Sequence, residues 1–304
     1  AKTGKPIDQR AIDNVTKEIQ QDIDTKETRR VYDSPSKGVL WGWEVPAYVW
    51  TKAIATGTFL MMAVWHFFNG GIDASSELTG LIITLVFMGL TGALLVKDLD
   101  RPDRFLYVLL RPQWKSWLVR GAYIITGFGG FVTLKLLDKY FRLGLEWLWW
   151  PGAVFAVMGA VYTAFLFNQA RARDLWQIPI QSAIHMLVHA LMAGSVAMMV
   201  IAPETRESMA HILLWGIVLN MFFIAKEIFM PHDTPDTKKA IHLMTKGYYS
   251  KHFWAGIALG SVIPIIILNT MSESTTLIAG GLILIGIFLT EFVRIRVPQM
   301  IPLS

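Results

Sequence analysis

Two histidines four residues apart, His185 and His189, stand inside an apolar run that continues to Ile201. On a helix that spacing puts both imidazoles on one face. Imidazole gains and loses protons near neutral pH, so the pair suits proton exchange as well as a buried structural role. Other polar groups gather at the matching ends of neighbouring apolar runs: Glu44, Tyr48 and Lys52, then Asp98, then Arg120 and Tyr123. Tyr162 and Asn168, Lys226 and Glu227, and Glu291 and Arg294 complete the series. Ionisable groups inside membrane-length segments are costly to bury and mark function by default. For Lys226, Glu291 and Arg294 the expectation is simpler: charged heads reaching the interface from helix ends.

The same residues bound the cofactor chemistry. Histidines on one helix cannot be opposing axial ligands of one haem, which are drawn from facing helices. His66 and His211 fall near the other ends of their segments, and nothing around them supports a haem site. A metal at His185 and His189 needs a third ligand from another segment. No metal and no haem is expected. With no cysteine in 304 residues, thiolate-held iron–sulfur clusters and disulfides have no ligands in this chain.

Eight apolar segments must position these groups. They run over Pro46–Phe68, Leu78–Val96, Trp117–Leu137, Trp147–Phe167, Gln181–Ile201, Ala210–Phe229, Phe253–Asn269 and Leu277–Val297. Each is close to the roughly 20 residues that span a hydrocarbon core. Helices are the open-chain way to satisfy backbone groups in lipid. The expected fold is therefore an all-α integral membrane protein of eight transmembrane helices, arranged as two four-helix bundles. Small residues such as Ala53 and Gly57 read as close-packing devices. Residues 1–40 are polar and form a separate arm with a short helix around Asp8 to Gln21. The arm is either a solvated tail or a partner contact, and no cleavable signal peptide is expected. Residues 41–304 form the membrane domain.

Eight spans put both ends of the chain on one face, side A. Of 28 Lys and Arg, 22 fall on side A and four on side B. That bias predicts that side A, with both termini, is cytoplasmic. The net charge of +5 then reflects orientation, and no nucleic-acid partner is expected.

The connector Lys97–Tyr123 reads KDLDRPDRFLYVLLRPQWKSWLVRGAY. A stop-transfer loop needs only positive charge, whereas here acids and bases alternate. The connector reads as the rim of a polar pocket, with Asp98 and Arg120 expected to form a buried pair that keeps the carboxylate charged.

Trp41–Gly57, WGWEVPAYVWTKAIATG, resembles the opening of the first span in the NrfD/polysulfide reductase membrane-subunit family. DLDRPDRF (Asp98–Phe105), with the WKSW and RGAY stretches (Trp114–Trp117, Arg120–Tyr123), is similar to that family's loop between its second and third spans. The resemblance implies a quinone-binding membrane anchor of a respiratory oxidoreductase complex, with no redox centre of its own. It implies an iron–sulfur subunit docked beside the quinone pocket, and beyond it a catalytic subunit of molybdopterin, hydrogenase or multihaem type. Electrons would pass between that partner and the menaquinone or ubiquinone pool, with or without proton translocation. The implied pocket lies where the first span meets the fourth and holds Trp43, Glu44, Tyr48, Tyr162 and Asn168. The histidine that some members place there has no counterpart, because Trp41–Glu44 stands in its position. On this reading Tyr48 or Tyr162, with Asn168, hydrogen-bonds a quinone carbonyl. Glu44, Asp98 or His185 exchanges protons with it, and Trp43, Arg120, Tyr123 and His189 line the site.

Two other readings stay open. One is a proton-conducting or transport subunit without quinone chemistry, its path running from Glu44, Asp98, Arg120 and the histidines toward side B. The side-B halves look nearly apolar, with His66, Asp73, Glu77 and His211 near helix ends, which counts against full transit. The other is a structural anchor with no quinone site.

Overall fold

The computed structural model describes residues 8–23, 39–99, 102, 105–171, 173–232, 234–269 and 273–302. Asp100, Arg101, Asp103 and Arg104 of the connector, and residues 1–7 and 24–38 of the arm, lie outside them. In chain order the helices are α1 (Gln9–Ile23), α2 (Glu44–Asn69), α3 (Ala74–Asp98), α4 (Phe105–Leu110), α5 (Trp117–Phe141) and α6 (Trp149–Asn168). They continue with α7 (Pro179–Ile201), α8 (Arg206–Phe229), α9 (Pro235–Thr245), α10 (Ser250–Ile257), α11 (Ile263–Leu268) and α12 (Glu273–Met300). A five-residue π turn, Ala258–Val262, joins α10 to α11 into one span. Among the described residues, eight helices are thus long and apolar enough to cross a membrane, as the hydropathy pattern predicts.

Burial differs sharply among the spans. The α2 window is 89% buried, against 28% for α3 and α5 and 22% for α8. The first span is therefore the central post and the others are its wall. It packs on α3, α6, α7 and α12. Wall helices turn apolar side chains outward, among them Val86, Leu134, Trp215 and Phe222, as lipid contact requires. Further pairs are α3 with α5, α5 with α6, α6 with α7, α7 with α8, α7 with α12, and α10–α11 with α12. α2 and α7 pack along a common seam. At that seam a Cβ on Gly57 would collide with the Ala190 carbonyl, and one on Gly194 with the Gly57 carbonyl. Glycine at both positions lets the two backbones touch.

Side A is closed by local devices. Trp41 sits between Phe167 and Trp176, with ring centroids 5.0 and 4.9 Å away. Its backbone N–H donates to Gln299 Oε1 at 2.8 Å, which ties the start of α2 to the end of α12. Pro298 lies inside α12 and has no N–H to offer the carbonyl four residues back, that of Arg294. The Trp176 indole donates to that carbonyl instead, at 3.2 Å. The arm is partly folded: α1 buries Ala11, Ile12 and Val15, and Val15 joins a cluster with Ile241, Met244 and Tyr249. Its helical part thus packs on its own chain, and Asp13, Asn14 and Lys17 face outward.

Side B is not as apolar as the sequence pattern indicates. Lys135, fully buried, lies 3.0 Å from Asp138, 2.8 Å from Glu146 and 4.0 Å from Glu77. Lys139 pairs with Glu77, and His66 lies 3.7 Å from Glu146 while its ring stacks on Trp149. This ionic cluster clamps the side-B ends of α2, α3, α5 and α6. Asp73 caps α3 by accepting from the backbone N–H groups of Ser75 and Ser76 and from the Ser75 hydroxyl. Those hydrogen bonds hold its carboxyl well below the usual carboxylate range.

Candidate functional site

The polar groups that the sequence scatters over the side-A halves converge in the structure. His185 and His189 do share one face of α7, and their rings are 4.4 Å apart. Both Nε2 atoms meet a single oxygen, Asn220 Oδ1 on α8, at 2.7 and 2.9 Å. Asn220 Nδ2 in turn donates to Ser261 Oγ in the π turn at 3.3 Å. On its other edge His185 Nδ1 accepts from Arg294 Nη1 at 2.8 Å. His189 Nδ1 lies 3.0 Å from Glu291 Oε1. Arg294 also pairs with Glu227 at 2.9 Å and lies 3.5 Å from Glu291.

Glu291 is only 1% exposed, as is Lys52. These are not helix-end charges reaching the interface. A carboxylate sealed between helices persists only with partners, and Glu291 has His189 and Arg294 beside it and Lys52 within electrostatic reach. Lys52 does not pair with Glu44. Its ammonium donates to the Ala160 carbonyl at 3.1 Å and to the Thr163 hydroxyl, and it lies over the Tyr162 ring. The Tyr48 and Tyr162 hydroxyls both reach Thr163, and Asp98 acts electrostatically on Tyr48. A void of about 10 Å³ borders Lys52, His189 and Glu291.

The array opens toward side A. A cavity of about 370 Å³ is lined by Asp174, Gln177, Gln181, Lys226, Glu227 and Arg294 among others. A narrow crevice past Trp176 and Met186 joins the same Arg294 to Glu291. Among the described residues the array stops toward side B. From Lys52 to His66 along α2 is fourteen residues, or roughly 21 Å at 1.5 Å per residue. Phe59, Met61, Met62, Met192 and Met198 fill that depth. The hydroxyls there, on Thr56, Thr58, Thr84 and Ser195, each donate to a carbonyl four residues back in their own helix.

Other sequence-derived candidates lie elsewhere. The expected Asp98–Arg120 pair does not form. Arg120 Nε donates to the Trp114 carbonyl at 2.6 Å, and its guanidinium lies over the Trp117 ring. The neighbouring Gly121 is the residue that faces Tyr162. Tyr123 is 36% exposed and donates to the Leu109 carbonyl at 2.6 Å, so both side chains pin the connector to α5. Glu44 lies 3.7 Å from Lys97, and Lys97 sits over the exposed Trp43 ring; the two form the outer lip of α2 and α3. The Asn168 carbonyl lies 3.5 Å from Gln177 Nε2 in the loop that roofs α7. Asn220, which joins the histidines, was not among the sequence candidates. Its signal was present as a lone amide in the middle of an apolar run.

The fold and this array define a multi-pass helical membrane protein with a buried, charge-compensated polar site reached from one face. The family model described as Polysulphide reductase, NrfD matches residues 33–302, nearly the whole chain, and the protein belongs to that family. It is a membrane subunit of a redox complex. No curated protein matches the chain.

Proposed function

We propose that this subunit passes electrons between an iron–sulfur partner on side A and a quinone bound in the side-A half of the membrane. The buried array supplies and accepts the accompanying protons. One observation carries the reading: α2, α6, α7, α8, the α10–α11 span and α12 bring polar groups to one site that opens toward side A and ends against roughly 21 Å of apolar packing. Two-electron quinone chemistry needs protons at the head group, and a one-sided array delivers them. A transport path needs a continuation that the methionine- and phenylalanine-filled half lacks. Tyr48 and Tyr162 are the candidate donors to a quinone carbonyl, and Glu44 guards the lip. Side A is taken as cytoplasmic from its excess of Lys and Arg.

The test is made on the assembled complex purified from membranes. Quinone is expected in the organic extract. Glu44→Gln and Glu291→Gln are each expected to lower quinone turnover about tenfold or more, within the range of general acid–base effects, while the complex still assembles. A quinone-free complex, or wild-type turnover in both variants, would reject the reading. Orientation is tested separately: alkaline phosphatase fused after Ser304 should be inactive, and an active fusion would place side A outside.

A further inference from the structure

Arg294 can only donate hydrogen bonds. His185 Nδ1, 2.8 Å from Arg294 Nη1, must therefore be an acceptor, and the proton of neutral His185 sits on Nε2. Nε2 is 2.7 Å from Asn220, which must present its oxygen there and not its NH₂ group. The Nδ2 contact with Ser261 agrees with that orientation. Because the same oxygen lies 2.9 Å from His189 Nε2, that nitrogen also carries a proton. The remaining edge, His189 Nδ1, faces Glu291 Oε1 at 3.0 Å. The contact lacks the alignment of a hydrogen bond, but a bare ring nitrogen against a carboxylate oxygen at that distance is repulsive, so a proton on one of the two groups relieves it.

We infer that Asn220 is a tautomer lock: by accepting from both imidazoles through one oxygen, it makes the His189–Glu291 gap the proton-holding site of the array. The inference rests on this geometry and holds whether or not the complex reduces quinone. With the proton present, imidazolium and carboxylate sum to zero. When it leaves, His189 becomes neutral and the carboxylate charge stays between Arg294, 3.5 Å away, and Lys52. The charged groups facing the pair are Lys52 from α2, Glu227 from α8 and Arg294 from α12, with His185 alongside on α7. The void beside Lys52 is about the size of one water, which suits a relay for the departing proton. Asn220 is a positioning residue here, because it acts through the rings that it orients.

Nitrogen-15 NMR of histidine-labelled full-length protein in lipid discs reads the ring protons directly. Signals are assigned with His185→Gln and His189→Gln. His185 is expected as the neutral Nε2–H tautomer at neutral pH, because Arg294 donates to its Nδ1. His189 is expected to carry a proton on Nε2, with Nδ1 as its exchanging position. Asn220→Leu should let both rings sample both tautomers, and Asn220→Asp, which still accepts twice, should restore the lock. Glu291→Gln should shift the His189 Nδ1 signal, because that nitrogen faces position 291. His185 protonated on Nδ1, His189 with a bare Nε2, or an unmoved His189 Nδ1 signal in Glu291→Gln would each overturn the inference. Should Asn220→Leu fail to fold, the wild-type spectra still decide it.

Discussion

Gly57→Leu is expected to prevent stable packing of α2 on α7. Even the first carbon of a side chain at Gly57 would occupy the space of the Ala190 carbonyl, and its other near neighbours, the Ala190 carbonyl carbon and the Gly194 nitrogen, are also backbone atoms. A flexible side chain could swing away, but a helix backbone cannot. Relief requires α2 and α7 to separate, and these helices carry Lys52 and the two histidines. Overpacking commonly costs 1–3 kcal/mol, and a backbone-on-backbone collision belongs at about 3 kcal/mol or above. The measurement is the unfolding midpoint of purified protein in detergent. Gly130→Leu is the control, because nothing lies within 4 Å of a Cβ there, and it should unfold near the wild-type midpoint. Equal midpoints for Gly57→Leu and the control would mean that the two spans do not cross at this glycine.

The second large effect is expected at the opposite face. Lys135→Met keeps length and apolar bulk but leaves Asp138 and Glu77 without their shared cation. Removing one partner of a buried pair typically costs 3–5 kcal/mol. The low end, about 3 kcal/mol, fits here: the Glu146 side chain is 60% exposed, and Lys139 still pairs with Glu77. Adding Asp138→Asn should recover part of the loss, since neighbouring sites of one network are not additive. Raising salt should change the loss little, because a buried pair is poorly screened. A strictly additive double variant would show that Lys135 and Asp138 do not act on each other.

The sequence made some of this arrangement legible and hid the rest for identifiable reasons. Span number and rough limits follow from lipid alone, because a long apolar run has one way to satisfy its backbone. The shared face of His185 and His189 follows from helical spacing. Their partners do not: Asn220 is 35 residues from His185, and Arg294 is 109 residues away. No local pattern encodes such a meeting. The failed Asp98–Arg120 pair shows how depth differs from direction. Both residues lie at the side-A level, but one step along a helix turns a side chain by about 100°. Gly121 points at Tyr162, so Arg120 points away. In the sequence Lys135, Asp138 and Glu146 only flank a short connection, and the packing of four helices reveals them as one cluster.

The depth of His189 has an electrical consequence. It is the eleventh residue of α7, about 15 Å below the first turn, or half of a ~30 Å hydrocarbon core. A proton that reaches it from side A crosses about half of the transmembrane field. Moving a unit charge across the whole field is worth about 2.3 kcal/mol per 100 mV, so half the distance is worth about 1.2 kcal/mol. Occupancy of the His189–Glu291 gap then changes roughly sevenfold for each 100 mV of membrane potential. An energised membrane would fill or empty this site without any change in the acidity of either compartment.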